Sequence, residues 1–301
     1  MRQKSRLNRR QSKKFVERRQ FRLYAMIFFV ILTIAGSIYG FFSLTHSRTI
    51  TIDNVEVKGN AAVPSEMIRL AVLEALSSAH VGIFSKANIF LYPKNQLEKA
   101  LSNLSPEIMF ASVKSIGLRT LEVEISERSP VARVCAGLPN FDNERSVGDI
   151  ETRCYLIDDS AFVYAVASSS DPVGLSTYYI PALAESTSTD SLLGLTAIDP
   201  SRLSALQDFY AGAIGNGLIV QAILVLENGE YEMYVGETRE ETNEGTVIYF
   251  NENQSFVRQL SNLISFLNGM KVKGLGQPSD YEYLNLRFGT NVFYKRAETT
   301  I

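Results

Sequence analysis

Of the side chains that carry most protein chemistry this 301-residue sequence has few: two cysteines, Cys135 and Cys154, and two histidines, His46 and His80. Histidine titrates near neutrality and is the commonest metal ligand. A metal site would therefore have to draw on His46, His80 and the two thiols, which show no ligand spacing. One nucleophile–base pairing can be written from these residues: an anchored thiol transpeptidase with Cys154 as nucleophile, His80 as base and an arginine such as Arg202 beside them. Gly274-Leu275-Gly276 lacks the third glycine and the following helix of a phosphate loop, and Glu240-Glu241 reads as exposed charge. No catalytic, cofactor-binding or metal-ligating residue emerges, so the expectation is a protein that is not an enzyme and takes no cofactor. Cys135 and Cys154 could close a loop of about 20 residues as a disulfide worth roughly 3 kcal/mol, or remain two buried thiols.

The composition, 46% apolar and 21% charged, is that of a chain with a packed core. Its net charge of −2 conceals a division. Residues 1–22 hold ten of the 30 Lys/Arg and one of the 32 Asp/Glu, Glu17, which leaves 20 basic and 31 acidic residues for the rest. A basic tail on an acidic body points to two environments. Directly after the tail, Tyr24 to Leu44 is 21 residues without a charge, which as a helix spans roughly 30 Å, the thickness of a bilayer's hydrocarbon core. Tyr24 and Tyr39 lie toward its ends, where amphipathic rings prefer the interface. The run is longer than the apolar region of a cleaved signal peptide, and Gly40-Phe41-Phe42-Ser43-Leu44 is a poor cleavage site. The expectation is an uncleaved anchor with a basic cytoplasmic tail and an extracytoplasmic body. The tail reads as a topology signal, and no nucleic acid or small-molecule substrate is expected.

From Ile50 the pattern becomes period two: Ile50, Ile52, Val55 and Val57 lead to a turn at Gly59-Asn60. Pro64 opens a helix with Met67, Ala71 and Ala75, and Ile68, Val72 and Leu76, on its apolar face. Pro93 precedes a second helix with Leu97, Leu101 and Leu104 on one side, and Pro106 stops it. Ile108–Ile116 and Arg119–Glu127 read as strands about a turn at Gly117, giving a β-α-α-β-β order with two helices on one face of a small sheet.

Beyond residue 130, Val131–Cys135, Cys154–Asp158 and Phe162–Val166 read as strands, and Ser168–Asp171 and Glu185–Ser191 as exposed polar stretches. Leu218–Leu226 and Tyr231–Val235 flank a hairpin turn at Asn228-Gly229, and Thr246–Phe250 is a further strand. Phe256, Val257, Leu260, Leu263, Ile264 and Leu267 mark an amphipathic helix that packs across the sheet. Tyr281–Phe288 and Asn291–Lys295 form a last hairpin. The fold class is α+β: a single transmembrane helix, a small β-α-α-β-β domain, and a mostly antiparallel β-domain with covering helices.

Three of these segments carry a family resemblance. Val55-Glu56-Val57-Lys58-Gly59-Asn60 resembles the opening of a POTRA domain. Leu121-Glu122-Val123-Glu124-Ile125-Ser126-Glu127-Arg128-Ser129-Pro130-Val131-Ala132 is similar to the close of that domain in FtsQ/DivIB-type bacterial cell-division proteins. Tyr283-Leu284-Asn285-Leu286-Arg287-Phe288-Gly289 resembles a strand near the C-terminus of the same family, with Asn285 where an acidic residue is usual. The resemblance covers residues 1–135 and 215–296. It implies a basic tail at 1–23, an anchor at 24–44, a POTRA-like domain at 49–128, an FtsQ-type β-domain at 129–296 with a polar, loop-rich insertion near 136–200, and a tail at 297–301.

The implied function is a divisome scaffold in the bacterial inner membrane, expected at the division septum. The POTRA-like domain would contact other divisome proteins, and the last hairpin would pair with FtsB/FtsL-type subunits. The partner contacts carried over by position are Tyr283, Leu286, Arg287, Phe288, Val292, Phe293 and Tyr294. Val292–Lys295 has no following strand in sequence, so it can be a sheet edge that offers backbone groups to another chain. Two other classes stand beside this one. A POTRA-bearing transport or secretion component would need a barrel or a repeat, and no repeat of 75–80 residues is found. The thiol transpeptidase would place Cys154 in Glu151-Thr152-Arg153-Cys154, only distantly similar to the Thr-Leu-x-Thr-Cys of sortases.

Overall fold

The structure, a computed structural model, describes residues 21–40, 50–77, 80–81, 84–85, 87–139, 153–186, 192–236, 245–274 and 276–297. It is a mixed α+β protein with one apolar N-terminal helix and a large sheet, and the chain divides into two units, Met1–Ser126 and Glu127–Ile301. Helix α1, Phe21–Gly40, is among the described residues the one helix long and apolar enough to cross a bilayer. Its two central hydroxyls are satisfied within the helix, Thr33 donating to the Val30 carbonyl and Ser37 to that of Thr33, each at 2.8 Å. A hydrocarbon environment requires such internal partners. The expected span reached Leu44, and residues 41–44 lie outside the described ones.

The rest of the first unit runs β1 (Asn54–Lys58), α2 (Ser65–Ser77), a two-residue pair β2 (His80–Val81) and β3 (Phe84–Ser85), α3 (Lys94–Ser102), β4 (Ile108–Ile116) and β5 (Thr120–Glu127). Its three-stranded sheet has the order β1-β5-β4, with β1 parallel to β5. The three residues between β4 and β5 are too few for anything but an antiparallel connection. Alternation sends Val55, Val113, Leu121, Val123 and Ile125 to one face, where Ile68, Val72 and Leu76 of α2 and Leu97 and Leu101 of α3 close the core. The buried stripe of α2 is narrower than the spacing predicts, because Met67 is turned outward at 46% exposure. Gly59 ends β1 at φ +80°, and a Cβ there would run into the Ile125 carbonyl, so this turn requires glycine on two counts.

The second unit contains β6 (Ala132–Ala136), β7 (Cys154–Ile157), β8 (Val163–Val166), β9 (Ser176–Ile180), α4 (Pro181–Ser186), α5 (Pro200–Gly215), β10 (Val220–Val225), β11 (Glu230–Val235), β12 (Thr246–Asn251), α6 (Phe256–Lys273), β13 (Tyr281–Phe288) and β14 (Asn291–Arg296). These strands form one nine-stranded sheet in the order β14-β13-β12-β11-β10-β9-β6-β7-β8. Five of its pairings are antiparallel and three are parallel. The sheet is thus more mixed than expected, and two of the parallel pairs have a visible cause. Parallel neighbours need a long crossover, which α4 and α5 supply between β9 and β10, and α6 between β12 and β13.

Three elements here lie outside the sequence reading. Strand β9 is central, parallel to both β6 and β10, with Ser176, Tyr178 and Ile180 buried. The region expected to be a polar insertion thus contributes three strands, β7, β8 and β9, to the main sheet. Helix α5 begins at an Asp199 cap whose side chain accepts from the Ser201 and Arg202 N–H groups, with Pro200 in the first turn. It buries Leu203, Leu206, Phe209 and Ala213. Helix α4 is a short turn of six residues. Of the stretches expected to be exposed, Ser168–Ser170 is exposed, Asp171 is turned inward to an ion pair with Arg133 at 3.6 Å, and the side chains of 185–191 lie outside the described residues.

The core of this unit lies between the sheet and the α5–α6 pair. Phe209 stacks on Phe250 at 4.3 Å, Tyr231 on Phe250 at 5.0 Å, and Phe256 meets these rings edge-on. Gln259 of α6, fully buried, donates to the Asn251 carbonyl at 2.7 Å and accepts from its N–H at 3.1 Å, tying the helix to the end of β12. Gly274 ends α6 in the left-handed conformation, with its N–H on the Met270 carbonyl.

Candidate partner-binding edge

The last hairpin turns through Gly289 and Thr290, and Gly289 at φ +68° meets the requirement of a two-residue hairpin loop. Helix α6 and the segment before it fasten this hairpin from one side. Asn262 donates to the Gly289 carbonyl at 2.8 Å and Gln254 to that of Arg287 at 2.7 Å. Register then decides which side chains face α6. Leu284 pairs with Ile248 of β12 and with Tyr294 of β14, all on the helix-covered face. Leu286 lies there too, fully buried. Tyr283 and Asn285 alternate to the opposite face, beside Val247 and Tyr249 of β12 and Lys295 and Phe293 of β14.

The seven residues expected to meet a partner therefore divide. Leu286 has its side chain in the core, as its alternation with Asn285 requires, and offers a partner its backbone. Val292 is half-buried against the same core. Tyr294 is half-exposed, but its ring rests against Phe266 and Tyr281, each at 5.3 Å. Tyr283 meets Tyr249 edge-on at 5.9 Å. Arg287 forms an ion pair with Glu230 at 2.9 Å, lies over the Tyr249 ring at 5.1 Å, and donates from Nε to Asn285 Oδ1 at 3.1 Å. Phe288 and Phe293, 56% and 52% exposed, touch each other at 5.3 Å. A register shift between Asn285 and Phe288 lets these two rings meet.

Four further residues of this opposite face, which no described helix covers, were not singled out in the sequence: Glu230, Glu232 and Tyr234 of β11 and Tyr249 of β12. The alternation in Glu230–Val235 and Thr246–Asn251 is the signal that would have found them. Burial, reinforced by hydrogen bonding to the Glu232 carboxylate at 2.7 Å, pushes the Tyr234 phenol well above its ordinary value. Burial also raises the Tyr249 phenol. Both stay neutral hydrogen-bonding groups at any physiological pH.

The two ends of the sheet differ. At β8, Val163 donates to the Leu195 carbonyl and accepts from Gly194 N–H, both at 2.8 Å, while Ala197 donates to the Ala161 carbonyl at 3.0 Å. A stretch of chain thus lies along that edge. At the other end, among the described residues, β13 is the one strand paired with β14, so one side of the β14 backbone is turned away from the sheet.

The residues of the thiol-transfer reading are not brought together as a nucleophile and base. Cys154 is joined to Cys135 as a disulfide between register partners of β6 and β7, and has no thiol to ionise in this state. Arg202 forms an ion pair with Glu252 at 2.6 Å, in a cleft of about 470 Å³ at the N-termini of α5 and α6. The side chain of His80, His46 and the Glu240-Glu241 pair lie outside the described residues. Among the described residues, no three His, Cys, Asp or Glu side chains converge to hold a metal ion. No protein-family model matches the chain, and no curated protein matches it in sequence.

Proposed function

We propose that this chain is a membrane-anchored, non-enzymatic scaffold of the bacterial division machinery, similar to FtsQ/DivIB, which captures an extended segment of an FtsB/FtsL-type subunit on the edge of β14. The observation that carries this reading is β14 itself: a six-residue terminal strand, next to exposed Phe288 and Phe293, at the end of a nine-stranded sheet whose other end is lined by chain. A strand added there would gain backbone hydrogen bonds from β14 and side-chain contacts from the two phenylalanines. The β1-α2-α3-β4-β5 order, with β5 central, supports reading the first unit as POTRA-like and open to other divisome proteins. The basic excess of residues 1–22 supports a cytoplasmic N-terminus, with α1 crossing the inner membrane.

The test is a functional fluorescent fusion to the N-terminus at native expression, with and without residues 281–301, together with the amount of FtsB that co-purifies. Midcell enrichment with FtsB lost on truncation is the expected result. A uniform envelope signal from the full-length fusion overturns the divisome reading.

A further inference from the structure

Nine residues, 41–49, separate the end of α1 from Ile50, so the chain can carry Ile50 no more than roughly 33–36 Å from Gly40. Two loops are hydrogen-bonded to the segment that begins at Ile50. Ile89 N–H donates to the Ile50 carbonyl at 3.0 Å and Ile52 N–H to the Ala87 carbonyl at 2.7 Å. On the other side, the Arg119 carbonyl accepts from Asp53 and Asn54 at 3.1 and 3.3 Å. Each loop presents apolar side chains next to these bonds. The Asn88 side chain accepts from Phe90 N–H at 2.9 Å, and the Asn88 carbonyl from Leu91 N–H at 3.0 Å. This turn buries Ile89 and holds Phe90 outward at 71% exposure and Leu91 at 41%. In the β4–β5 turn, Leu118 is 51% exposed and Ile116 43%.

The geometry points to a bilayer-surface contact: Phe90 and Leu91, with Leu118 and Ile116, dip into the headgroup–acyl boundary of the membrane that α1 spans. This inference rests on reading α1 as a membrane anchor. Apolar side chains held within reach of a lipid surface bury themselves in its outer 5–10 Å or so. Phe90 and Leu91 follow Ile89, and Leu118 precedes Arg119, each of which is hydrogen-bonded to the segment Ile50–Asn54. The contact orients the first unit on the membrane as a rigid stand, not a freely swinging bead.

The chain has no tryptophan, so a single introduced indole reports on its own surroundings. Full-length Phe90→Trp, Leu118→Trp, Phe110→Trp and Phe29→Trp variants are placed in phosphatidylcholine–phosphatidylglycerol nanodiscs, with and without lipids brominated near the headgroup end of the acyl chains or, for Phe29→Trp near the middle of α1, toward their methyl ends. Phe110 is also exposed, but lies about 20 Å along β4 from Ile116. The expected result is blue-shifted emission and about twofold or greater quenching by bromine at positions 90 and 118, none at 110, and quenching at 29. Quenching at 29 with none at 90 and 118 overturns the surface contact while the anchor stands. No quenching at 29 removes the anchor and the inference with it. A blue shift at 90 that bromine does not quench assigns the contact to protein and also overturns it.

Discussion

Arg287 of β13 reaches across β12 to Glu230 of β11, with 2.9 Å between Nη1 and Oε1, and its guanidinium lies over the Tyr249 ring on the way. One side chain thus braces three strands on the face opposite α6, beside the proposed edge. Arg287→Lys keeps the charge and loses both the flat fork and the ring contact. It should lower the stability of the intact chain by about 1 kcal/mol, since the pair is partly solvated. Chemical denaturation measures this, and an unchanged midpoint would mean that the brace is decorative. Asn285→Asp tests the same site in the opposite direction. Its oxygen already accepts from the Arg287 N–H and Nε, at 3.2 and 3.1 Å. A carboxylate there should raise the midpoint by strengthening both bonds.

Glu122 stands in the central strand of the first unit's sheet, 6% exposed, between Lys114 at 2.6 Å and Lys58. Hydrogen bonds from Lys114 and then Lys58 hold its carboxyl below the usual glutamate range. The folded chain therefore binds this proton more weakly than the unfolded chain. The contribution to stability is complete above the ordinary glutamate value, about 4.3, and is lost as pH falls through the lower folded-state value. Glu122→Gln should be less stable than the parent at pH 7, with the gap closing as the pH is lowered below 4. A gap that is constant across this range would show that packing, not charge, sets the cost.

The Cys135–Cys154 disulfide joins register partners 19 residues apart, with Cα atoms at 4.0 Å, across β6 and β7. It closes the base of the loop between them and shortens the unfolded chain's freedom there by an amount worth roughly 3 kcal/mol. Reduction, or the double change Cys135→Ala with Cys154→Ala, should lower the unfolding midpoint by a corresponding step. Thiol titration of denatured, unreduced protein should find none. Two titratable thiols in protein taken directly from cells would show that the disulfide is not formed there.

Elements with strong apolar contrast were legible in the sequence. Leu121, Val123 and Ile125 alternate with Glu122 and Glu124, and the apolar stripe of α6 from Phe256 to Leu267 stands out against polar neighbours. Helix α5 was not legible because its buried Leu203, Leu206, Phe209 and Ala213 are interleaved with Ala205, Ala211 and Ile214, which leaves little contrast between faces. The Asp199-Pro200 cap was the overlooked signal. Strand β9 was missed because its buried row begins with Ser176, and a strand paired on both sides in parallel need not look apolar at its ends. At the edge, the hairpin was legible and the facing of its side chains was not. That depended on the register shifts of β13 against β14, which spacing alone does not reveal.

Those shifts make the edge testable residue by residue. Phe293 is exposed and Leu286 fully buried, although both belong to the same hairpin. Phe293→Asp places a charge where water already reaches, so the fold should be retained, with about 1 kcal/mol lost with the Phe288 ring contact, while capture of a partner strand should fall sharply. Leu286→Asp buries a carboxylate without a partner and should unfold the hairpin, at a cost of several kcal/mol. Val292→Asp, half-buried against the core, should lose some stability and most capture. If capture depends on the edge, Phe293→Asp will separate binding from folding: unchanged far-ultraviolet circular dichroism and a cooperative melt at most a few degrees lower, with the co-purified FtsB-to-bait ratio reduced about tenfold or more, as for an interface hot spot. A ratio unchanged in a folded Phe293→Asp protein, and again in Val292→Asp, would remove the β14 edge from the binding site and move the search to the Tyr234–Tyr249–Tyr283 face.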